Sequence, residues 1–174
     1  PLYVDGARLG YGLMADGNDI PLPYLASHCD VFYIGGTKIG ALCGEAVVFT
    51  HNNAHKHFFN IQKQHGALMA KGRLLGVQFD ALFTDNLYFD ISRHAIDMAM
   101  RMKKIFQDKG YRFFIDSPTN QQFVILSHET VKQLCEKDIV FTHWGPFDKQ
   151  NMICRFVTSW ATKPEDLDYL EKNL

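Results

Sequence analysis

Lys38 is the residue whose setting most favours covalent chemistry. An apolar stretch over residues 31–34 leads into Gly-Gly-Thr-Lys, so the lysine lies in a glycine-rich turn. We expect an amine in such a turn to be desolvated by the apolar strands, which would lower its pKa and let it form an imine. The pattern Gly-x-x-x-x-Gly-Lys-Ser/Thr of a phosphate loop is absent, since Thr37 precedes the lysine. The alternative is a surface turn with a solvated Lys38.

Asp5 is a second candidate, in the run Asp5-Gly6-Ala7-Arg8 directly after a short apolar strand over residues 2–4. In an α/β fold, an acid at the carboxyl end of a strand lies at the edge where ligands bind. The alternative is a turn in which Asp5 only caps the next helix.

Arg155 is a third candidate, within a strand predicted over residues 152–158. Strand alternation places Cys154 and Phe156 on one face, and Ile153, Arg155 and Val157 on the other. An arginine between apolar neighbours is unfavourable unless a carboxylate or phosphate meets it. The alternative is an internal salt bridge to an acid of the protein.

These three residue types fit one kind of chemistry, that of pyridoxal 5'-phosphate (PLP). A PLP enzyme needs a lysine that bonds to the cofactor and an aspartate that keeps the pyridine nitrogen protonated. It also needs an arginine for the carboxylate of an amino-acid substrate. Lys38 lies 33 residues after Asp5, with one predicted strand between them. That connection allows two neighbouring strand ends to meet at one cofactor.

The first region of the chain is predicted to supply those strand ends. Short apolar strands alternate with helices, which indicates strands buried on both faces of an α/β sheet. The predicted strands cover residues 2–4, 31–34 and 46–49, and the predicted helices cover 21–27, 53–62 and 66–82. A long helix then begins near Asp85 as its N-cap and ends at Gly110 in the C′ position.

The region after Gly110 is predicted to form a small α+β lobe with an antiparallel sheet. Its strands are expected at residues 111–115, 123–126, 139–142 and 152–158, with a turn at 118–120 and a helix at 129–137. A last helix begins at Pro164, because proline suits the first helical position and the acids that follow suit the first turn.

The composition excludes several classes of protein. The 174 residues carry 18 basic and 19 acidic side chains, so the basic excess of a nucleic-acid-binding protein is absent. No apolar stretch approaches the roughly 20 residues that span a bilayer. The four cysteines are scattered without a Cys-x-x-Cys pair, which favours reduced thiols in a cytoplasmic protein. The chain opens abruptly on an apolar strand, so we expect it to be a fragment.

The motifs resemble those of the low-specificity threonine aldolases. The resemblance rests on Asp-Gly-Ala-Arg at 5–8, on Lys38 in its glycine-rich turn, and on Arg-Phe-Val-Thr at 155–158. Lys-Gln-His-Gly at 63–66 also resembles the Arg-Gln-x-Gly helix start of that family. The resemblance spans nearly the whole chain.

The resemblance implies a fold, two domains and an activity. It implies the aspartate aminotransferase-like fold, with residues 1–84 as the C-terminal part of the large PLP-binding domain and 85–174 as the small α+β domain. It implies cleavage of threonine or allo-threonine to glycine and an aldehyde. A homodimer or homotetramer is expected, together with an N-terminal half that is missing here.

The resemblance also assigns roles to individual residues. Lys38 would form the Schiff base, Asp5 would pair with the pyridine nitrogen, and Thr37 would add a hydroxyl beside the cofactor. Arg8 is expected to contact both cofactor and substrate carboxylate. Arg155 would share the carboxylate, and Lys63 would reach a cofactor phosphate, as an arginine does in the family.

The sequence departs from the family pattern at several points. Thr37 replaces a serine, and Tyr3 stands where histidine is common. The phosphate-binding glycine loop and the ring-stacking histidine, which also serves as the base, have no counterpart here. We therefore expect this chain alone to be inactive. PLP-dependent β-elimination or transamination stays open, as does a silent fragment that acts only in subunit association.

The histidines do not replace those parts. His51, His55 and His57 have a spacing that could hold a metal on a helix, but no carboxylate or cysteine joins them. A solvated helix start is the better interpretation.

Overall fold

A computed structural model describes every residue from Pro1 to Leu174. The chain divides into two compact units. The first unit comprises Pro1–Leu13 and Asn18–Ile91, and the second comprises Met14–Gly17 and Ser92–Leu174. Each unit contains its own sheet, of three strands in the first and four in the second. None of the helices is both long and apolar enough to cross a membrane.

The sheet of the first unit has its strands in chain order. Strands β1 (Tyr3–Val4), β2 (Val31–Gly35) and β3 (Glu45–Phe49) form it, with β2 in the middle. β1 and β2 are parallel and β3 is antiparallel to β2. A parallel pair requires a crossover connection, and helices α1 (Leu9–Leu13) and α2 (Leu22–His28) lie in it.

The expectation that these strands are buried on both faces is wrong for the two outer strands. Phe32 and Ile34 of β2 are buried. Tyr3 of β1 and Val47 of β3 are 59% and 51% exposed, because both strands lie at edges of the sheet. In this chain the first unit therefore carries apolar surface in contact with solvent.

Two helices of the first unit begin later than predicted. Helix α3 spans Phe58–Gln64 and helix α4 spans Arg73–Phe83. The predicted start of α4 at Gly66 fails because that residue has a φ of +67°, in the left-handed region that ends a helix. Apolar periodicity continued across this break and concealed it.

The long helix α5 (Leu87–Asp108) also begins later than Asp85. Asp85 and Asn86 have φ values of +50° and +63°. An N-cap residue normally has extended backbone and directly precedes the helix, so the prediction of Asp85 as N-cap is wrong.

The end of α5 agrees with the prediction. Gly110 has a φ of +79° and donates its N–H to the carbonyl of Gln107. The N–H of Tyr111 bonds to the carbonyl of Phe106, and their rings meet at 5.7 Å. These two bonds and the ring contact make a Schellman motif with Gly110 at C′.

The second unit has the antiparallel sheet that the sequence predicts. Its strands are β4 (Arg112–Ile115), β5 (Gln121–Ser127), β6 (Thr142–Pro146) and β7 (Asn151–Val157), in the order β4-β5-β7-β6. All neighbouring pairs are antiparallel. The strand predicted over residues 139–142 begins only at Thr142, as β6.

That error has a local cause. The N–H of Ile139 bonds to the carbonyl of Leu134, so Ile139 closes the preceding helix instead of entering the sheet. Its side chain packs against the core, which accounts for the apolar signal.

Helices α6 (His128–Glu136) and α7 (Pro164–Asn173) complete the second unit. Ser127 caps α6 by accepting the N–H of Thr130, and Pro164 occupies the start of α7 as predicted. The buried cluster of this unit draws on α5, α6, α7 and both central strands: Met102, Ile105, Phe106, Val124, Leu126, Val131, Leu134, Cys154, Phe156, Leu167 and Leu170.

Candidate active site

Asp5 and the turn that carries Lys38 lie at the same edge of the first unit's sheet. Asp5 follows β1, and the turn follows β2, so the parallel pairing brings both carboxyl ends together. This is the edge at which open α/β sheets bind ligands. The structure thus places these two predicted residues on neighbouring strand ends.

The carboxylate of Asp5 is held by two donors on one oxygen. Oδ1 accepts the hydroxyl of Tyr33 and, at 3.0 Å, the N–H of Ala7. The hydrogen bond from Tyr33 is the main reason that the pKa of Asp5 lies below its ordinary value, and the N–H of Ala7 is the next. The charges of Lys38 and Arg8 lower the pKa further, so Asp5 is an anion.

Two glycines allow the strand ends to approach each other. A Cβ built on Gly6 would lie 1.6 Å from the carbonyl oxygen of Tyr33, and one on Gly35 would lie 2.7 Å from the carbonyl oxygen of Ala7. The N–H of Gly35 bonds to the carbonyl of Gly6 at 3.0 Å. Only residues without a side chain permit this contact.

Lys38 lies in a single 3-10 turn, Thr37–Ile39. Ile39 is buried beneath it, and the buried Tyr11 donates its hydroxyl to the carbonyl of Lys38. The backbone of the turn is therefore anchored to α1. The lysine side chain itself is exposed, as is Thr37, and its amine has no hydrogen bond or ion pair. The expected desolvation of Lys38 is not provided by the residues of this chain.

Gln78 of α4 fastens the loop that follows this turn. Its Oε1 accepts the N–H of Leu42 at 2.6 Å, and its Nε2 donates to the carbonyl of Leu74 at 2.9 Å. No local pattern marks this residue, because the contact joins positions 36 residues apart.

Arg8 has an unused donor. Its Nε is buried and has no hydrogen-bond partner. Arg8 contributes its charge to the pKa of Asp5 but forms no ion pair with it. An unsatisfied guanidinium nitrogen is unfavourable inside a protein, and an anionic ligand would relieve it.

Arg155 lies in the second unit, on the face of the sheet opposite the buried Cys154 and Phe156. Its guanidinium donates to Oε1 of Gln121 at 3.1 Å and to Oγ1 of Thr142 at 3.3 Å. It also lies over the ring of Trp144, 5.0 Å from the centroid.

All of these partners of Arg155 are neutral. The Nε of Arg155 is buried without a partner, and no acidic side chain pairs with the guanidinium. The alternative of an internal salt bridge is therefore wrong. A carboxylate ligand would supply the missing negative charge.

Lys63 and the three histidines are not brought to this edge by any polar contact. Lys63 is exposed in the last turn of α3 and forms no hydrogen bond or ion pair. His51, His55 and His57 are exposed, and His57 directly precedes α3. They lie in the irregular segment before α3, so the expected solvation is confirmed, but the expected place on a helix is wrong.

The residues at this edge suit PLP at two of its positions. Lys38 offers an exposed, unpaired amine for the aldehyde carbon, and Asp5 offers an anion for the ring nitrogen. The orphaned Nε of Arg8 offers a further donor for a negative group. This donor set fits the cofactor.

Two solved structures with little sequence similarity to this chain share its fold. Serine palmitoyltransferase from Sphingomonas wittichii superposes on 98% of this chain with a TM-score of 0.65 at 12% identity, and the match covers 45% of that enzyme. A lysine aminotransferase from M. tuberculosis superposes on 99% of the chain with a TM-score of 0.52, also at 12% identity. At such identity only the fold is shared. That fold is the aspartate aminotransferase-like fold of PLP enzymes.

Sequence similarity relates this chain to the threonine aldolases. A threonine aldolase from Leishmania major is 37% identical, with a TM-score of 0.93 over 99% of this chain and 50% of its own. The low-specificity L-threonine aldolases of Pseudomonas aeruginosa and of a Pseudomonas sp. are 27% and 28% identical over 99% and 93% of this chain. No family model matches. The chain is a relative of the low-specificity L-threonine aldolases.

The similarity covers nearly all of this chain but only about half of each relative. The chain spans about half the length of the curated relatives, 49% of one and 46% of the other. The motifs at Asp5, Lys38 and Arg155 lie within the matched part.

Proposed function

We propose that the native protein containing this chain cleaves a β-hydroxy amino acid, threonine or allo-threonine, to glycine and an aldehyde with the help of PLP. The observation that carries the proposal is the meeting of Asp5 and the Lys38 turn at two parallel strand ends. The similarity to threonine aldolases over the whole chain supports it.

Each residue would have a definite task. Lys38 would hold the cofactor through its amine. Asp5, held as an anion, would keep the ring nitrogen protonated. Thr37 would offer its hydroxyl beside the cofactor. Lys63 would reach the phosphate of the cofactor, a role that rests on the resemblance alone. When bound, PLP supplies a ring that accepts the electrons of the broken Cα–Cβ bond.

The arginines would orient the substrate. Arg8 and Arg155 each keep a buried Nε without a partner, so each can donate to a carboxylate without first breaking a salt bridge. Arg8 lies in the same unit as Lys38, so a carboxylate bound by Arg8 would be oriented relative to that lysine. Removal of the hydroxyl proton is assigned by the resemblance to a histidine that has no counterpart in this chain.

The exposed apolar surface of the first unit supports a subunit interface in a homodimer or homotetramer. Leu42 is 92% exposed and Leu74 is 61% exposed. Such surface is characteristic of association sites. A cytoplasmic location agrees with four unpaired cysteines. The exposed apolar surface would equally suit a catalytically silent fragment that acts only in subunit association. The 174-residue chain alone is expected to release no glycine from threonine.

The test is to locate the cofactor and identify the product. The native protein is incubated with PLP, reduced with borohydride and digested, and the pyridoxyl group is located by mass spectrometry. We expect it on Lys38, with loss in Lys38→Ala and no change in the matched variant Lys71→Ala. Label on Lys63, Lys71 or any other lysine would contradict the assignment.

The product distinguishes the reaction from its alternatives. Threonine should yield glycine and an aldehyde. Release of ammonia with a keto acid would indicate β-elimination, and amino transfer to an added keto acid would indicate transamination. Lys38 and Asp5 would serve in all three reactions, so the product alone decides between them.

A further inference from the structure

Tyr33 contacts Asp5 across the two strands. Tyr33 lies on β2 and its hydroxyl donates to Oδ1 of Asp5, 28 residues earlier in the chain. The same oxygen accepts the N–H of Ala7 at 3.0 Å. Oδ2 of Asp5 has no hydrogen bond. One carboxylate oxygen is thus occupied by two donors and the other is open.

Strand alternation gives Tyr33 this position. Phe32 and Ile34 are buried, so Tyr33 projects from the opposite face of β2. The close approach of Gly6 to the Tyr33 backbone brings the start of the Asp5 turn against the same residue. The contact between side chains is therefore supported by a contact between backbones.

We propose that Tyr33 is a positioning residue for the cofactor: it holds the carboxylate of Asp5 by Oδ1 and keeps Oδ2 available for the protonated ring nitrogen of PLP. This role rests on the proposed function. A carboxylate held by a single backbone N–H could rotate about its Cβ–Cγ bond, and the second donor prevents this. Tyr33 would act through Asp5, without contact to the substrate.

The electrostatics of the pair agree with this role. The hydrogen bond from Tyr33 is the largest cause of the lowered pKa of Asp5, and it raises the pKa of Tyr33 to about 12. Lys38 and Arg8 lower the pKa of Asp5 further, and Glu45 and Tyr3 raise that of Tyr33 further. Tyr33 thus stays a neutral donor, and Asp5 an anion, at neutral pH.

The chain offers a matched control in Tyr3. Its ring centroid lies 6.2 Å from that of Tyr33, and its hydroxyl forms no hydrogen bond. Tyr33→Phe and Tyr3→Phe each remove one hydroxyl from this pair of neighbouring rings. Only the first removal breaks a contact to Asp5.

The experiment measures PLP affinity and the titration of Asp5 in the native protein. Tyr33→Phe should weaken PLP binding by about tenfold, the scale of losing one hydrogen bond to a charged group. In the PLP-free protein, carbon NMR should show the pKa of Asp5 rising toward its ordinary value of 3.8. The KM for threonine and the melting temperature should stay at the wild-type value. Tyr3→Phe should change none of these.

A double-mutant cycle separates positioning from folding. If Tyr33→Phe lowers the melting temperature, the substitution is repeated in an Asp5→Asn background. The loss of PLP affinity caused by Tyr33→Phe should then disappear, because Tyr33 acts through Asp5. Additive losses would overturn the inference.

The outcomes distinguish this inference from the proposed function. Wild-type PLP affinity and wild-type titration of Asp5 in Tyr33→Phe would overturn the role of Tyr33 alone. A wild-type protein that binds no PLP would overturn the proposed function and, with it, this role.

Discussion

The two units differ in how their structure is maintained. In the second unit, Phe106, Leu126 and Cys154 are fully buried in a cluster shared by three helices and two strands. In the first unit, Leu42 and Leu74 are largely exposed, and the sheet has only three strands. The residues with the most demanding geometry therefore lie in the unit with less apolar packing. Their placement depends on a small set of hydrogen bonds and on glycines, whereas Arg155 lies in a sheet that packs on the buried cluster of the second unit.

The largest expected effect is a loss of the second unit's stability on Phe106→Ala. Phe106 is fully buried and contacts the rings of Tyr111, Phe113 and Phe156. Removing a buried phenylalanine costs about 3–5 kcal/mol of the free energy of unfolding.

Urea unfolding followed by tryptophan fluorescence would check this. Trp144 and Trp160 are the only tryptophans and both lie in the second unit. Phe59→Ala, at an exposed position of the first unit, is the control and should leave this transition unchanged. Equal losses in both variants would mean that the units do not differ as described.

A smaller effect is expected at Arg155, where the second unit would contribute to binding. Arg155→Lys removes the planar fork that meets a carboxylate, so the KM for threonine should rise by about tenfold. The absorbance of bound PLP should not change. Arg112→Lys is the control, because Arg112 is an exposed arginine of the same sheet. An unchanged KM, or unfolding of Arg155→Lys, would make Arg155 a structural residue only.

The smallest effect is expected at Asp148, in the turn between β6 and β7. Its carboxylate accepts the side-chain N–H of Asn151 and the backbone N–H of Gln150, and these bonds, in that order, lower its pKa below the ordinary 3.8. A lowered carboxyl pKa stabilises the folded state above the unfolded pKa, and this stabilisation is lost as the pH falls through the folded value.

Asp148→Asn should therefore lower the urea midpoint slightly at pH 7, and the difference from wild type should shrink at pH 3. Asp97→Asn, at an exposed acid without a partner, should show no such pattern. A difference that persists at pH 3 would show that the loss is not electrostatic.

Much of the fold could be predicted from local patterns. Gly110 and Pro164 were placed correctly because each has a conformation that few other residues adopt at a helix end. The helix starts at Phe58 and Arg73 were missed because apolar spacing continues through the irregular segments before them. Ile139 was misplaced because an apolar residue can serve a helix end as well as a strand.

The site was predicted less completely than the fold. Asp5 and Lys38 could be paired because parallel strands bring their ends to one edge. Tyr33 was missed because its role depends on the distance to Asp5, which strand alternation alone does not give. The neutral surroundings of Arg155 were equally hidden, since its partners Gln121 and Thr142 come from two other strands.

The contact between Gly6 and Gly35 limits how this edge can evolve. A methyl group on Gly6 would overlap the carbonyl of Tyr33, and one on Gly35 would overlap the backbone of Ala7. A lineage that acquires a new reaction here has to exchange side chains around the contact, because the backbone has no room to change. Changes in the chemistry of this edge would then arise at side chains such as Tyr33, which sets the surroundings of Asp5, while the crossing of the two strand ends stays in place.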